Sequence, residues 1–261
     1  MREKLFSTIA GVRARVLYSR SAYALLLGDL PSGLYAHWCD TASHEFKGIP
    51  RDAFFFARAA EALMEFFDCV SRSASPCGLP SKAADSVWHA WAQLAPAHLE
   101  RFCMEHFARP IPHIEAAGMP EPMNAALGVC LVAARRIEQK APAGPYVPTL
   151  FSLDQSLRMP FGFAYSMKER ELAFRSMGAS GRPDGNLVFP IALQAHQLFV
   201  AGLVTRAEYI PYAPAVLNRD RARDGGAGAV CGSFSSSADC GDGGGADSGS
   251  SCGSGCGGGG D

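Results

Sequence analysis

Apolar residues recur at three- and four-residue intervals through most of the chain before Asp224, while sustained strand-type alternation is scarce. The pattern therefore predicts an all-α fold. The first predicted helix runs from about Leu5 to Leu27, with Leu5, Ile9, Val12, Val16 and Leu17 on one stripe and Gly28 as its cap. A second, from about Arg51 to Val70, carries an aromatic face of Phe55, Phe56, Phe66 and Phe67 and should be a core element. Between them, Leu30 to Pro50 is rich in Gly, Pro, His and Ser and reads as an irregular connection. A third helix begins at Ser81 and reaches about Leu94, where Pro96 interrupts or restarts it. From Pro96 to Phe107 the stripe Leu99, Phe102, Cys103, His106 continues the pattern.

Further on, Pro122 to Gln139 reads as a helix with proline at an early position. Ser166 and Glu169 have capping-box spacing for a helix ending near Met177 and Gly178. Asn186 suggests a cap for Leu187 to Leu203, and Thr205 with Glu208 forms another capping box. Phe161-Gly162-Phe163-Ala164-Tyr165 is a compact aromatic loop suited to core packing. The expected architecture is a single irregular helical domain, residues 1–223, with Pro- and Gly-marked loops.

Composition changes abruptly after that. Residues 224–261 hold fifteen Gly, four Cys and five Asp, with no Lys or Arg. So little apolar surface does not offset a backbone entropy of roughly 1–2 kcal/mol per residue, and a disordered glycine- and cysteine-rich tail is expected. The overall charge of −1 divides into a body of +4 (24 basic against 20 acidic residues) and a tail of −5. The opening residues, with Arg2, Lys4, Arg13, Arg15 and Arg20, lack the apolar run of a secretory leader. No stretch approaches eighteen uninterrupted apolar residues, so no membrane span is expected. These features point to a cytoplasmic protein whose nine cysteines are thiols.

The candidate chemistry lies in one window. Four of the seven histidines, His89, His98, His106 and His113, fall together there, with Asp85, Trp88 and Cys103. Asp85 and His89 are four residues apart and share a helical face. His89 and Cys103 each lie seven residues from Pro96, so a chain reversal there would set them at the same height of a hairpin, with His113 folding back towards them. Two imidazoles, a thiolate and a carboxylate make a tetrahedral zinc set, or three ligands with an open position. Asp85 alternatively orients His89 from behind. The plainer account of the same residues is structural: a carboxylate favoured in the first turn of a helix, a core tryptophan, and a buried cysteine acting as a small hydrophobe.

The stretches Asp85-Ser86-Val87-Trp88-His89, Leu99-Glu100-Arg101-Phe102-Cys103 and Phe107-Ala108-Arg109-Pro110-Ile111-Pro112-His113 resemble the core of the bacterial glycine-rich domain-containing protein family. That family pairs an Asp-x-x-Trp-His helix with an aromatic-Cys pair, a Phe-Gly-Arg turn and a final His, and often has a Gly- and Cys-rich C-terminus. Ala108 stands where glycine is usual. The resemblance implies a shared helical core and no particular reaction.

Other chemistry is thinner. Cys231, Cys240, Cys252 and Cys256 have thiols suited to zinc or copper(I), or are simply solvated. The chain has no Gly-x-x-x-x-Gly-Lys loop, Gly-x-Ser-x-Gly elbow or His-Glu-x-x-His helix. Arg219, Arg221 and Arg223 alternate with Asp220 and Asp224 and read as a solvated linker, so nucleic-acid binding is not expected. The leading expectation is a non-enzymatic helical module with a metal or polar site at Asp85, His89, Cys103 and His113, zinc as the candidate ion, and a tail for a protein partner or for metal capture. The alternatives are an enzyme using His89 oriented by Asp85, and an adaptor presenting the aromatic helix Phe54 to Phe67.

Overall fold

The computed structural model describes residues 2–111, 113 and 123–213. Backbone contacts divide the chain into Met1–Asn218 and Arg219–Asp261, and the described residues all belong to the first unit. The expectations for the tail, including its four cysteines, lie outside the described residues.

The central element is α4 (Ala53–Ser71), nineteen residues free of Gly and Pro. Asp52 caps it by accepting from the backbone N–H groups of Phe54 and Phe55, both at 3.0 Å. Phe55, Phe56, Phe66 and Phe67 are buried, and Phe54 lies under the Arg13 guanidinium, 3.9 Å from its ring centroid. The helix thus spends most of these aromatics on the core, which weakens an adaptor surface made of them. Around α4 pack α1 (Arg2–Arg20), α5 (Lys82–Leu94), α7 (Met123–Ile137) and α8 (Thr149–Leu157). The first predicted helix is two pieces, α1 and α2 (Ala24–Gly28), broken at residues 21–23.

Residues 30–50 are not irregular. They contain α3 (Leu34–Glu45), whose Leu34, Trp38 and Ala42 are buried at four-residue spacing. Gly33, at φ +89°, supplies the left-handed turn that starts it. Helix α3 lies along α5, where the Trp38 indole N–H donates to Ser86 Oγ at 3.0 Å. Pro96 opens α6 (Pro96–Phe107) directly after α5.

Among the described residues, most are helical, as the all-α expectation has it, and the expectation fails at a hairpin. Phe163–Lys168 (β1) and Glu171–Ser176 (β2) form an antiparallel hairpin, with Tyr165 opposite Phe174, where a capped helix from Ser166 was expected. The alternation Phe163, Tyr165, Met167 and Leu172, Phe174 carried that signal. Its two-residue turn, Glu169-Arg170, takes positive φ at both positions, 49° and 72°, the geometry that suits a tight hairpin. Neither residue announces such a turn in sequence.

After the hairpin, the expected long helix from Leu187 is reduced to a 3-10 turn, Ile191–Leu193, and α9 (Ala195–Val200). The Thr205–Glu208 capping box is present at the start of α10 (Arg206–Tyr209), with both reciprocal hydrogen bonds formed. Among the described residues, no helix is long and apolar enough to cross a membrane.

Candidate metal centre

Helix α5 places the first two site residues. Ser81 caps it, accepting from Ala84 N–H at 3.2 Å, and its buried face of Ala84, Val87, Trp88 and Trp91 sits against the core. Asp85 and His89 project from the edge of that face, with side chains 30% and 26% exposed. His113, 25% exposed, stands edge-on to both neighbours: its ring centroid is 4.5 Å from Trp88 and 4.6 Å from His89.

The result is a convergence of three ligand atoms. His113 Nε2 is 3.0 Å from Asp85 Oδ1 and His89 Nε2 is 3.6 Å from the same oxygen. One donor atom from each of Asp85, His89 and His113 lies within 4.8 Å of the other two. Ligands at 2.0–2.2 Å from one ion stand roughly 3–3.6 Å apart, so this spacing suits a shared metal with little rearrangement.

The residue that orients His89 is Glu45. Its carboxylate meets His89 Nδ1 at 2.5 Å and accepts from the Gln93 amide at 2.8 Å. A neutral His89 that donates Nδ1–H to Glu45 keeps its Nε2 lone pair on the side of Asp85 and His113. Asp85 is the sequence-based candidate for this orienting role; in the structure Glu45 meets His89 Nδ1, while Asp85 faces His89 Nε2 and His113 Nε2. Sequence reasoning missed Glu45 because it lies at the end of α3, forty-four residues from His89. The Leu34–Trp38–Ala42 spacing was the one signal that could have found its helix.

Cys103 does not join the group. It is 1% exposed, on the core side of α6 beside Leu99 and Phe102, and burial pushes its thiol up to about 11, so it is a poor source of thiolate. The expected pairing across Pro96 fails for a geometric reason. The α5 side chain that meets α6 is Trp91, whose ring lies 4.8 Å from Phe102 and 5.7 Å from His98. Trp91 is two residues, or about 200° of helical rotation, from His89. His106 pairs with Asp29 at 2.9 Å on the surface, away from the centre.

Asp85, His89 and His113 line a solvent-open cavity of about 650 Å³ together with mostly apolar side chains that include Phe66, Ile111, Leu127 and Phe174. Two cations, Lys82 and Arg109, lie on its walls. Arg109 donates to the Val70 and Ser73 carbonyls at 3.0 and 2.9 Å, which ties it to the end of α4. Behind the lining residues Ser81, Lys82 and Phe163 lies a residue with no obvious sequence signature, Asp154 of α8. Buried to 1% exposure, it accepts from Ser81 Oγ at 2.6 Å and from the N–H groups of Lys82, Ala83 and Phe163 at 3.0–3.1 Å. It thereby clamps the start of α5 to the hairpin. Burial raises its pKa, and the four donors pull it back down. Gly162 permits the clamp, since a Cβ there would come within 2.5 Å of Asp154 Oδ2.

No curated protein and no solved structure matches the chain. A family model described as UCP032817-like matches residues 55–182, 128 of the 261 residues. The chain is thus similar to that family over the segment from α4 through the hairpin, which contains Asp85, His89, His113 and Asp154 and stops short of Glu45.

Proposed function

We propose that the protein binds a zinc ion through Asp85, His89 and His113, and that the ion acts on a small molecule with an apolar body held in the adjoining cavity. The observation that carries this reading is the approach of two imidazole nitrogens and one carboxylate oxygen to within 4.8 Å of one another on the cavity wall. Two further features support it. Glu45 stands behind His89 as the carboxylate that metal-bound imidazoles commonly have. Three protein ligands also leave a coordination position for substrate, as in catalytic rather than structural zinc sites. In such a site the ion supplies Lewis acidity, and the protein supplies the fixed ligand geometry and a mostly apolar pocket. The glycine-rich tail is assigned to partner binding or metal capture, and kinship with the bacterial glycine-rich domain-containing family is proposed on the residues that resemble it.

The test is elemental analysis of the full chain purified without an affinity tag, with Cys231, Cys240, Cys252 and Cys256 changed to Ser. One zinc per chain is expected, lost in His89→Ala and His113→Ala and kept in Cys103→Ser. Absence of stoichiometric metal, with thermal stability unchanged by chelator, overturns the reading. The 2.5 Å contact between Glu45 and His89 favours a second reading in that event: a metal-free enzyme in which Glu45 holds His89 as general base.

A further inference from the structure

Three buried thiols meet beside the same cavity. Cys69 lies near the end of α4, Cys77 in the loop between α4 and α5, and Cys130 in α7; their exposures are 0%, 9% and 0%. All three are free thiols. The Cys130 thiol stands within hydrogen-bonding reach of both Cys69 and Cys77, and Cys77 Sγ approaches the Cys69 carbonyl at 3.8 Å. The loop is pinned in place, since Gly78 N–H donates at 2.9 Å to the Ala126 carbonyl, one helical turn before Cys130. Cys77 is the member that lines the cavity, together with Arg109.

We propose that Cys77 and Cys130, with Cys69 behind them, form a thiol–disulfide site that reduces hydroperoxides with an apolar body entering the cavity. The two thiols are electrostatically unequal in the required sense. The Cys77 thiol is held below its ordinary range by its hydrogen bond to Cys130, with help from Ser73 and the Arg109 charge. Cys130, wholly enclosed, is pushed well up by burial. The lower-pKa thiol that faces the cavity is the attacking group.

The chemistry balances within the pair. The Cys77 thiolate attacks the hydroperoxide, forming an S–O bond and breaking the O–O bond. The alkoxide leaves and takes up a proton as the alcohol. Cys130, losing its proton, attacks the Cys77 sulfur of the sulfenic acid; the S–S bond forms, the S–O bond breaks and water leaves. Two thiols lose two electrons and the peroxide gains them. Cys69 is placed to exchange with the disulfide at Cys130.

The test treats the full-length protein with one equivalent of cumene hydroperoxide in the presence of chelator and maps its cysteines by peptide mass spectrometry. A linked Cys77–Cys130 peptide is expected. Cys77 should be consumed at least about tenfold faster than half-buried Cys39, which lies away from the cavity. Hydrogen peroxide should act more slowly than the apolar reagent. In Cys130→Ser, Cys77 should stop at the sulfenic acid and be captured by dimedone. No Cys77-containing disulfide, or equal oxidation of Cys77 and Cys39, overturns the proposal. Equal rates with the two peroxides overturn the apolar-substrate assignment.

Discussion

Asp154→Ala tests how the cavity is held together. The substitution removes the acceptor of four donors: the Ser81 hydroxyl, the Lys82 and Ala83 N–H groups in the first turn of α5, and the Phe163 N–H at the start of β1. At about 1 kcal/mol for each neutral donor left without its partner, the loss is about 4 kcal/mol. Burying a carboxylate carries its own penalty, which burial expresses as a raised pKa; removing it offsets part of the loss and leaves about 3 kcal/mol. For a domain of this size that lowers Tm by roughly 6–12 °C. Urea denaturation followed by circular dichroism gives the free energy, and a scan gives Tm. The Gly162→Ala change supplies an internal check. Its Cβ would meet Asp154 Oδ2 at 2.5 Å, Cγ at 2.8 Å and Cβ at 2.9 Å; Asp154→Ala removes the first two of these atoms, so the change should cost less in that background. A coupling of about 1–3 kcal/mol is expected between the two sites. A loss under about 1 kcal/mol for Asp154→Ala, or additive behaviour of the pair, refutes the clamp.

Two other residues give predictions of different kinds. Glu65 is 8% exposed in α4, and its Oε1 has no hydrogen-bond partner among the described residues. Burial, with the nearby charges of Glu138 and Glu61, raises its pKa from 4.5 to about 8. Between those pH values the folded chain holds a proton that the unfolded chain has released, so this group makes stability fall as pH rises through the window. Glu65→Gln removes that dependence and should gain on the parent by about 4 kcal/mol between pH 4.5 and 8 in denaturation curves; parallel curves contradict it. Ala108 ends α6 in the left-handed region at φ 55° and ψ 23°. Ala108→Gly should relieve about 1 kcal/mol of strain and raise Tm by ~2–4 °C in a thermal scan; no rise means the turn is unstrained.

The parts of the molecule that were legible in sequence are those written locally. The aromatic face of α4, the Ser81 cap, the break at Pro96 and the Thr205–Glu208 box are all decided within one or two helical turns. The grouping of Asp85 with His89 is of that kind too, being one turn on one helix. His113 was inferred from its prolines and does arrive at the site. What was not legible depends on packing between distant segments. Glu45 reaches His89 only because α3 lies along α5, and the polar residues of 30–50 obscured that helix. Asp154 caps a helix seventy residues before it, which no capping pattern in adjacent sequence records. The hairpin was misread because Ser166 and Glu169 have capping-box spacing by coincidence, while its turn uses Glu-Arg in place of Asn-Gly. Cys103 was misplaced because counting from Pro96 fixes height along two helices and says nothing about which faces meet.

The most direct test of the proposed centre is X-ray absorption at the zinc edge, on zinc-loaded protein with the four tail cysteines changed to Ser. The account predicts a first shell of nitrogen and oxygen at about 2.0–2.2 Å, with the outer-ring scattering of two imidazoles and no sulfur shell. A sulfur contribution near 2.3 Å, which would bring Cys103 or another buried thiol back as a ligand, contradicts it, as does a spectrum of free aqueous zinc.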